Sequence, residues 1–200
     1  MQKGLQRGLL IIMAAAIALA LGLAGRLLFF SDGEFAQGLA SIGGPFTLTD
    51  PNGRTVTDQT FRGKLMLVYF GYTYCPDVCP TELQAITVAL NQLGADAAAV
   101  QPLFVTVDPG RDKPAVLKEY MSNFYRTFLG LSGTPEQIAA AAKAYRVYYA
   151  KAPVKGGGTD DYLMDHSGFV YLMDRQGRYL AHFVPNTPPE KIAEQIHKAL

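Results

Sequence analysis

The stretch "KLMLVYFGYTYCPDVCPTELQAITVAL", Lys64 to Leu90, decides the fold. It opens as a continuous run of branched and aromatic residues, the pattern of a strand buried on both faces. It closes with Leu83, Ile86 and Leu90, continued by Leu93, at the spacing of one apolar helical stripe. Between the two lies "GYTYCPDVCP", which holds both cysteines of the chain, Cys75 and Cys79, each followed by proline. Strand, loop and helix in that order place the cysteines at the carboxyl end of a central strand, where α/β sheets carry their sites. In a helix running from Cys75, the Pro80 ring would strike the carbonyl of Pro76. The helix is therefore expected to begin at Pro80, with Cys79 in the capping position.

On the amino-terminal side, "PFTLTDPNGRTVT" flanks a turn sequence with two short threonine-rich runs and predicts a hairpin. On the other side, "PLFVTVD" (Pro102–Asp108) is the next strand. Two helices follow, "KPAVLKEYMSNF" and "TPEQIAAAAKAY", the second with Thr134 as its cap and Pro135 at its first position. "VYY" reads as a short strand and Lys151–Asp165 as a long, glycine-containing loop. "GFVYLMD" and "YLAHFVP" form a strand pair around "RQG", and "PPEKIAEQIHKAL" closes the chain as a helix. This alternation predicts an α/β fold, a thioredoxin-like mixed sheet flanked by helices with an N-terminal hairpin and no internal repeat.

The first 30 residues belong to a different class. From Gly8 to Gly25 there is no charged residue, and Lys3 and Arg7 precede the run. Roughly 20 apolar residues span a bilayer, and the basic flank keeps the leading end in the cytoplasm. The expectation is a single transmembrane helix over residues 1–30, a linker over 31–44 and one domain over 45–200. A cleaved signal peptide is the rival, since "ALA" at Ala18–Ala20 offers a small-residue cleavage pattern. Either way the domain is exported; with the anchor retained, the chain is expected to be a single-pass inner-membrane protein with its C-terminal domain in the periplasm, an organellar inner membrane being the alternative. Of the 18 basic residues, Lys3, Arg7 and Arg26 belong to the leader, which leaves 15 against 17 acidic ones. No basic run suggests nucleic acid.

A thiolate at a helix N-terminus is stabilised by free amide groups and the helix dipole, which serves redox exchange and metal binding alike. A redox couple, a structural disulfide and a metal site all remain open at this point. Three residues separate the cysteines, one more than in a thioredoxin-type couple. Soft sulfurs suit Cu(I), zinc or iron–sulfur clusters, but structural zinc takes four protein ligands and clusters four cysteines. Cu(I) accepts low coordination, so two thiolates and one imidazole suffice.

The chain has three histidines. His197 falls in the terminal helix and His182 inside a short strand, both ordinary placements. His166 stands in "MDHSG", where thioredoxin-type enzymes carry a proline before the strand facing the cysteines. A potential ligand replaces a device for disulfide substrates. "GYTYCPDVCP", "VTVDPGRD" and "YLMDHSGFVYLMD", in this order and after "GPFTLTDPNGRTVTDQTFRGK", resemble the Sco/SenC copper metallochaperones over residues 45 to 200. The resemblance implies a membrane-tethered, thioredoxin-like protein holding Cu(I) or Cu(II) through Cys75, Cys79 and His166. It also implies delivery to cytochrome c oxidase subunit II, or to another copper-receiving protein, during oxidase assembly. Asp108 and Asp112 match acidic positions of the family motif, where they tune the site, contact a partner, or simply cap a turn. Asp77 is an exposed loop acid or a favourable charge for a cation, Tyr72, Tyr74 and Tyr162 are candidate shields, and Met164 is a candidate weak thioether ligand. The competing expectation is an exported thiol–disulfide reductase in which Cys75 attacks and Cys79 resolves.

Overall fold

The computed structural model describes residues 42–154, 156, 158 and 161–200, together with residue 13. The expected anchor, apart from Met13, and the linker up to residue 41 lie outside the described residues, as do residues 155, 157, 159 and 160 of the long loop. Among the described residues no helix is long and apolar enough to cross a membrane.

Ile42–Leu200 fold as one unit. In chain order its elements are β1 (Thr47–Thr49), β2 (Thr55–Thr57), β3 (Leu65–Gly71), α1 (Val78–Gln92), β4 (Val100–Thr106), α2 (Pro114–Met121), β5 (Leu129–Leu131), α3 (Pro135–Tyr145), β6 (Tyr149–Pro153), β7 (Tyr162–His166), β8 (Val170–Met173), β9 (Tyr179–Phe183) and α4 (Pro189–Ala199). The main sheet runs β5-β4-β3-β8-β9. β3 pairs in parallel with β4 and antiparallel with β8, which makes the sheet mixed, as expected. All seven residues of β3 are buried. That is why its sequence is continuously apolar rather than alternating.

The two tight turns use one device. In "DPNGR" and in "DRQGR" the aspartate carboxylate accepts the backbone N–H groups two and four residues on, and also pairs with the arginine of the motif. Gly53 and Gly177 take the positive φ that each turn needs, +78° and +72°. On α1, Leu83, Ile86 and Leu90 are fully buried. Each such side chain contributes about 1.5–3 kcal/mol relative to exposure. The Thr134 cap of α3 is present as a capping box with Gln137.

Three expectations need correction. α1 begins at Val78, not Pro80, so Cys79 lies inside the first turn. Pro80 is tolerated there because first-turn amides have no intrahelical partner to lose. Lys151–Asp165 is not a loop throughout: its ends pair as the antiparallel hairpin β6–β7, with Tyr149 opposite His166. β5, three residues around Gly130, has no counterpart in the expected strands and adds an edge parallel to β4.

Candidate metal centre

Two bodies meet at the site. Cys75 and Cys79 belong to the turn and first helical residues after β3. His166 ends β7, in a two-stranded sheet separate from the main one. The two sulfurs and an imidazole nitrogen all lie within 4.8 Å of one another. Cys79 Sγ stands 3.4 Å from His166 Nε2. Both cysteines are free thiols, Cys79 buried and Cys75 half-buried.

The ring nitrogens have distinct tasks. Nδ1 of His166 lies 3.1 Å from the Ser167 carbonyl, which can only accept, so Nδ1 carries the proton. Nε2 then presents its lone pair toward Cys79, the orientation a metal ligand needs. The ring is seated by the edges of Tyr69 and Tyr72, whose planes cross it at 75° and 88°.

The sulfurs are not equivalent. The Cys79 N–H donates to Cys75 Sγ over 3.4 Å, at the start of α1. A second bond, in which the Cys79 thiol donates to the Cys75 sulfur, is the chief cause that lowers the Cys75 thiol. The same bond and burial raise Cys79, which keeps the shared proton. Cys75 is thus the thiolate at the mouth and Cys79 the thiol beneath it. Cys75 and His166 open on a cleft of about 420 Å³ lined also by Pro76, Val78, Met164 and Pro185.

Of the other candidates, Asp77 is exposed at the N-cap of α1 but makes no side-chain capping bond. Tyr72 is buried and Tyr74 exposed. Met164 is buried on the wall of the cleft. His182 is bonded to the Tyr179 hydroxyl at 2.5 Å, and His197 sits 3.7 Å from Asp96; neither belongs to the site.

Asp108 and Asp112 stand outside the Cys-Cys-His cluster and bond to its two arms. Asp112 is fully buried. It accepts the Thr73 N–H at 3.0 Å and the hydroxyls of Thr73 and Thr106, both at 2.6 Å. It thereby ties the cysteine turn to the end of β4. Asp108 is paired with Arg111 and accepts the Tyr162 hydroxyl at 3.0 Å, so it reaches the hairpin that carries His166. Thr73, Thr106 and Arg111 were not singled out from sequence. The only signal available was their membership of the motifs "GYTYCPDVCP" (Thr73) and "VTVDPGRD" (Thr106 and Arg111).

Gly71 closes the floor. A Cβ there would stand 2.9 Å from both Cys79 Sγ and Phe104 Cε2, and neither is free to swing away. Gly71→Ala is expected to cost about 1–3 kcal/mol as overpacking and to weaken metal uptake by displacing a sulfur. Denaturant unfolding and metal titration of the same sample read both effects; unaltered uptake would show that the sulfur position tolerates the shift.

The comparisons agree with this geometry. The model of the family described as SCO1/SenC matches residues 35–200. Protein SCO2, mitochondrial, of Saccharomyces cerevisiae is 42% identical over 83% of this chain and 56% of its own length. Protein SCO1, mitochondrial, of the same yeast is 42% identical over 90% of this chain and 67% of its own length. This chain therefore spans little more than half to two thirds of those relatives. Among solved structures, Bradyrhizobium japonicum ScoI with copper bound superposes with a TM-score of 0.73 at 49% identity, covering 80% of this chain and all of that one. A thioredoxin-like sheet, the Cys-Cys-His cluster and these matches lead to one assignment: the chain belongs to the SCO1/SenC family.

Proposed function

We propose that this chain binds one copper ion through Cys75, Cys79 and His166 and passes it on by ligand exchange during cytochrome c oxidase assembly, with subunit II as the recipient. The observation that carries the reading is the donor set itself: two sulfurs and an imidazole lone pair within 4.8 Å. Soft thiolates hold Cu(I), and the imidazole extends the site to Cu(II). Cys75 at the mouth of the cleft is the ligand an incoming donor exchanges first. The apolar leader supports a membrane tether with the domain in the periplasm.

The test titrates the full chain, reduced and anaerobic, with Cu(I) against a competing chelator. One copper per chain is expected. Oxidising the pair to a disulfide removes both thiolates and should abolish uptake, and reduction should restore it, because binding requires deprotonated sulfur. No competitive binding by the folded, reduced chain would reject the proposal.

A second reading draws on the same asymmetry. A low-pKa thiolate at the surface with a buried thiol below it is also the arrangement of attacking and resolving cysteines. As a reductant of a partner disulfide, Cys75 would form the mixed disulfide. Cys79 would then displace the partner thiol, leaving Cys75–Cys79 oxidised and the partner reduced by two electrons. Cys79→Ser would trap that mixed disulfide; its absence would count against this reading.

A further inference from the structure

The metal-binding triangle spans two bodies, so something must fix their separation. The hairpin carrying His166 pairs with no strand of the main sheet. Its own closing bonds, Ser167 N–H to the Tyr148 carbonyl at 2.9 Å and Tyr148 N–H to the Ser167 hydroxyl at 3.1 Å, join the hairpin to itself. Burial of Met164 seats it on the core, but apolar burial is non-directional.

The Tyr72 hydroxyl bonds to the Met164 backbone, and Arg111, which sits in the seam, adds further directional contacts. Its guanidinium carbon lies 3.8 Å from the centroid of Tyr162 and 4.9 Å from that of Tyr74. Its Nη1 donates to the Tyr162 carbonyl at 2.9 Å, and its Nε pairs with Asp108, which also receives the Tyr162 hydroxyl. Tyr162 opens the strand that ends at His166, and Tyr74 precedes Cys75. One planar cation therefore grips both arms. Lysine cannot substitute, because a compact ammonium neither stacks in this way nor offers the same fork.

We propose that Arg111 is a positioning residue for His166: gripped by Tyr162 and Tyr74, it sets the distance from imidazole to sulfurs and thereby the preference of the site for Cu(II) over Cu(I). The inference rests on the copper reading above. Cu(II) needs the imidazole, whereas Cu(I) is served by the two thiolates. Loosening the hairpin should therefore penalise one ion and spare the other.

The experiment compares the full chain with Arg111→Met, Arg111→Lys, His166→Ala and the double variant Arg111→Met/His166→Ala. Cu(I) and Cu(II) affinities are measured by chelator competition and the Cu(II) form by electron paramagnetic resonance. Arg111→Met is expected to weaken Cu(II) by about 10–100-fold, the usual cost of losing a group that orients a ligand. Arg111→Lys should fall in the same direction. The nitrogen hyperfine pattern should change, while Cu(I) affinity stays within about threefold. If Arg111 acts through the imidazole, Arg111→Met adds no further loss to His166→Ala. A wild-type hyperfine pattern in Arg111→Met, or the same loss in both backgrounds, would overturn the inference alone. A wild type that takes up no copper would overturn the proposed function and this inference together. Should Arg111→Met fail to fold, Tyr162→Leu removes the other half of the stack and is read by the same criteria.

Discussion

Cys79→Ser is expected to abolish copper capture, and His166→Ala to leave Cu(I) binding in place while removing most of the affinity for Cu(II). The serine hydroxyl fits where the buried sulfur sits and can still donate to His166 Nε2, which lies 3.4 Å from Cys79 Sγ. The fold therefore survives, at a cost of about 1 kcal/mol for an altered hydrogen bond. What is lost is one of two soft donors. A Cu(I) site reduced to a single thiolate should weaken by at least about a thousandfold, roughly 4 kcal/mol. His166→Ala keeps both sulfur donors in place, so the Cu(I) loss is far smaller. Competition against chelators of graded affinity, with circular dichroism to verify the fold, separates the two. Equal loss of both ions in His166→Ala would show that the imidazole is a full partner in either state. Full Cu(I) affinity in Cys79→Ser would remove that sulfur from the ligand set.

The part of the site carried by local sequence was legible, and the part carried by long-range contacts was not. β3 could be seen because a strand buried on both faces is apolar without interruption, and α1 because Leu83, Ile86 and Leu90 repeat at helical spacing. The start of α1 was placed two residues late because Pro80 was weighed as a helix breaker, when first-turn positions accept it. His166 stood out through its place just before the strand expected to face the cysteines, and through the family resemblance, whereas His182 falls inside a strand. The hairpin beneath it was hidden because "YAKAP" and "YLMDH" flank a polar, glycine-containing segment and bury little. Leu129–Leu131 is too short for any period to show. Asp112 and Arg111 act across 39 and 51 residues, on Thr73 and Tyr162, a distance at which spacing carries no information.

Asp112→Ala is expected to be the most destabilising change outside the ligands, while Asp112→Asn should be nearly silent. Alanine would leave one backbone N–H and two threonine hydroxyls facing a void. Each orphaned buried group costs about 1–3 kcal/mol. The hydroxyls can turn to other acceptors, so the expected loss is about 3 kcal/mol, a large share of a total of about 5–15 kcal/mol. The cysteine turn would lose its anchor as well, so copper affinity should fall with stability. Asparagine behaves differently. Its oxygen can take the Thr73 N–H and the Thr106 hydroxyl, and its amide can donate to the Thr73 hydroxyl, with no charge to bury. The pH dependence tests the same point with a definite sign. Burial raises the Asp112 carboxyl above the usual range, against the lowering effect of Thr106 and Thr73. A carboxyl raised in the folded state binds its proton more tightly there than in the unfolded chain. Its contribution is therefore full below the unfolded pKa and declines as pH rises through the folded one. Denaturant unfolding of the reduced chain, from acid to neutral pH, should show Asp112→Asn gaining on the wild type as pH rises. A wild type that gains on the variant over that range would mean the folded pKa is depressed, and that the three donors outweigh burial.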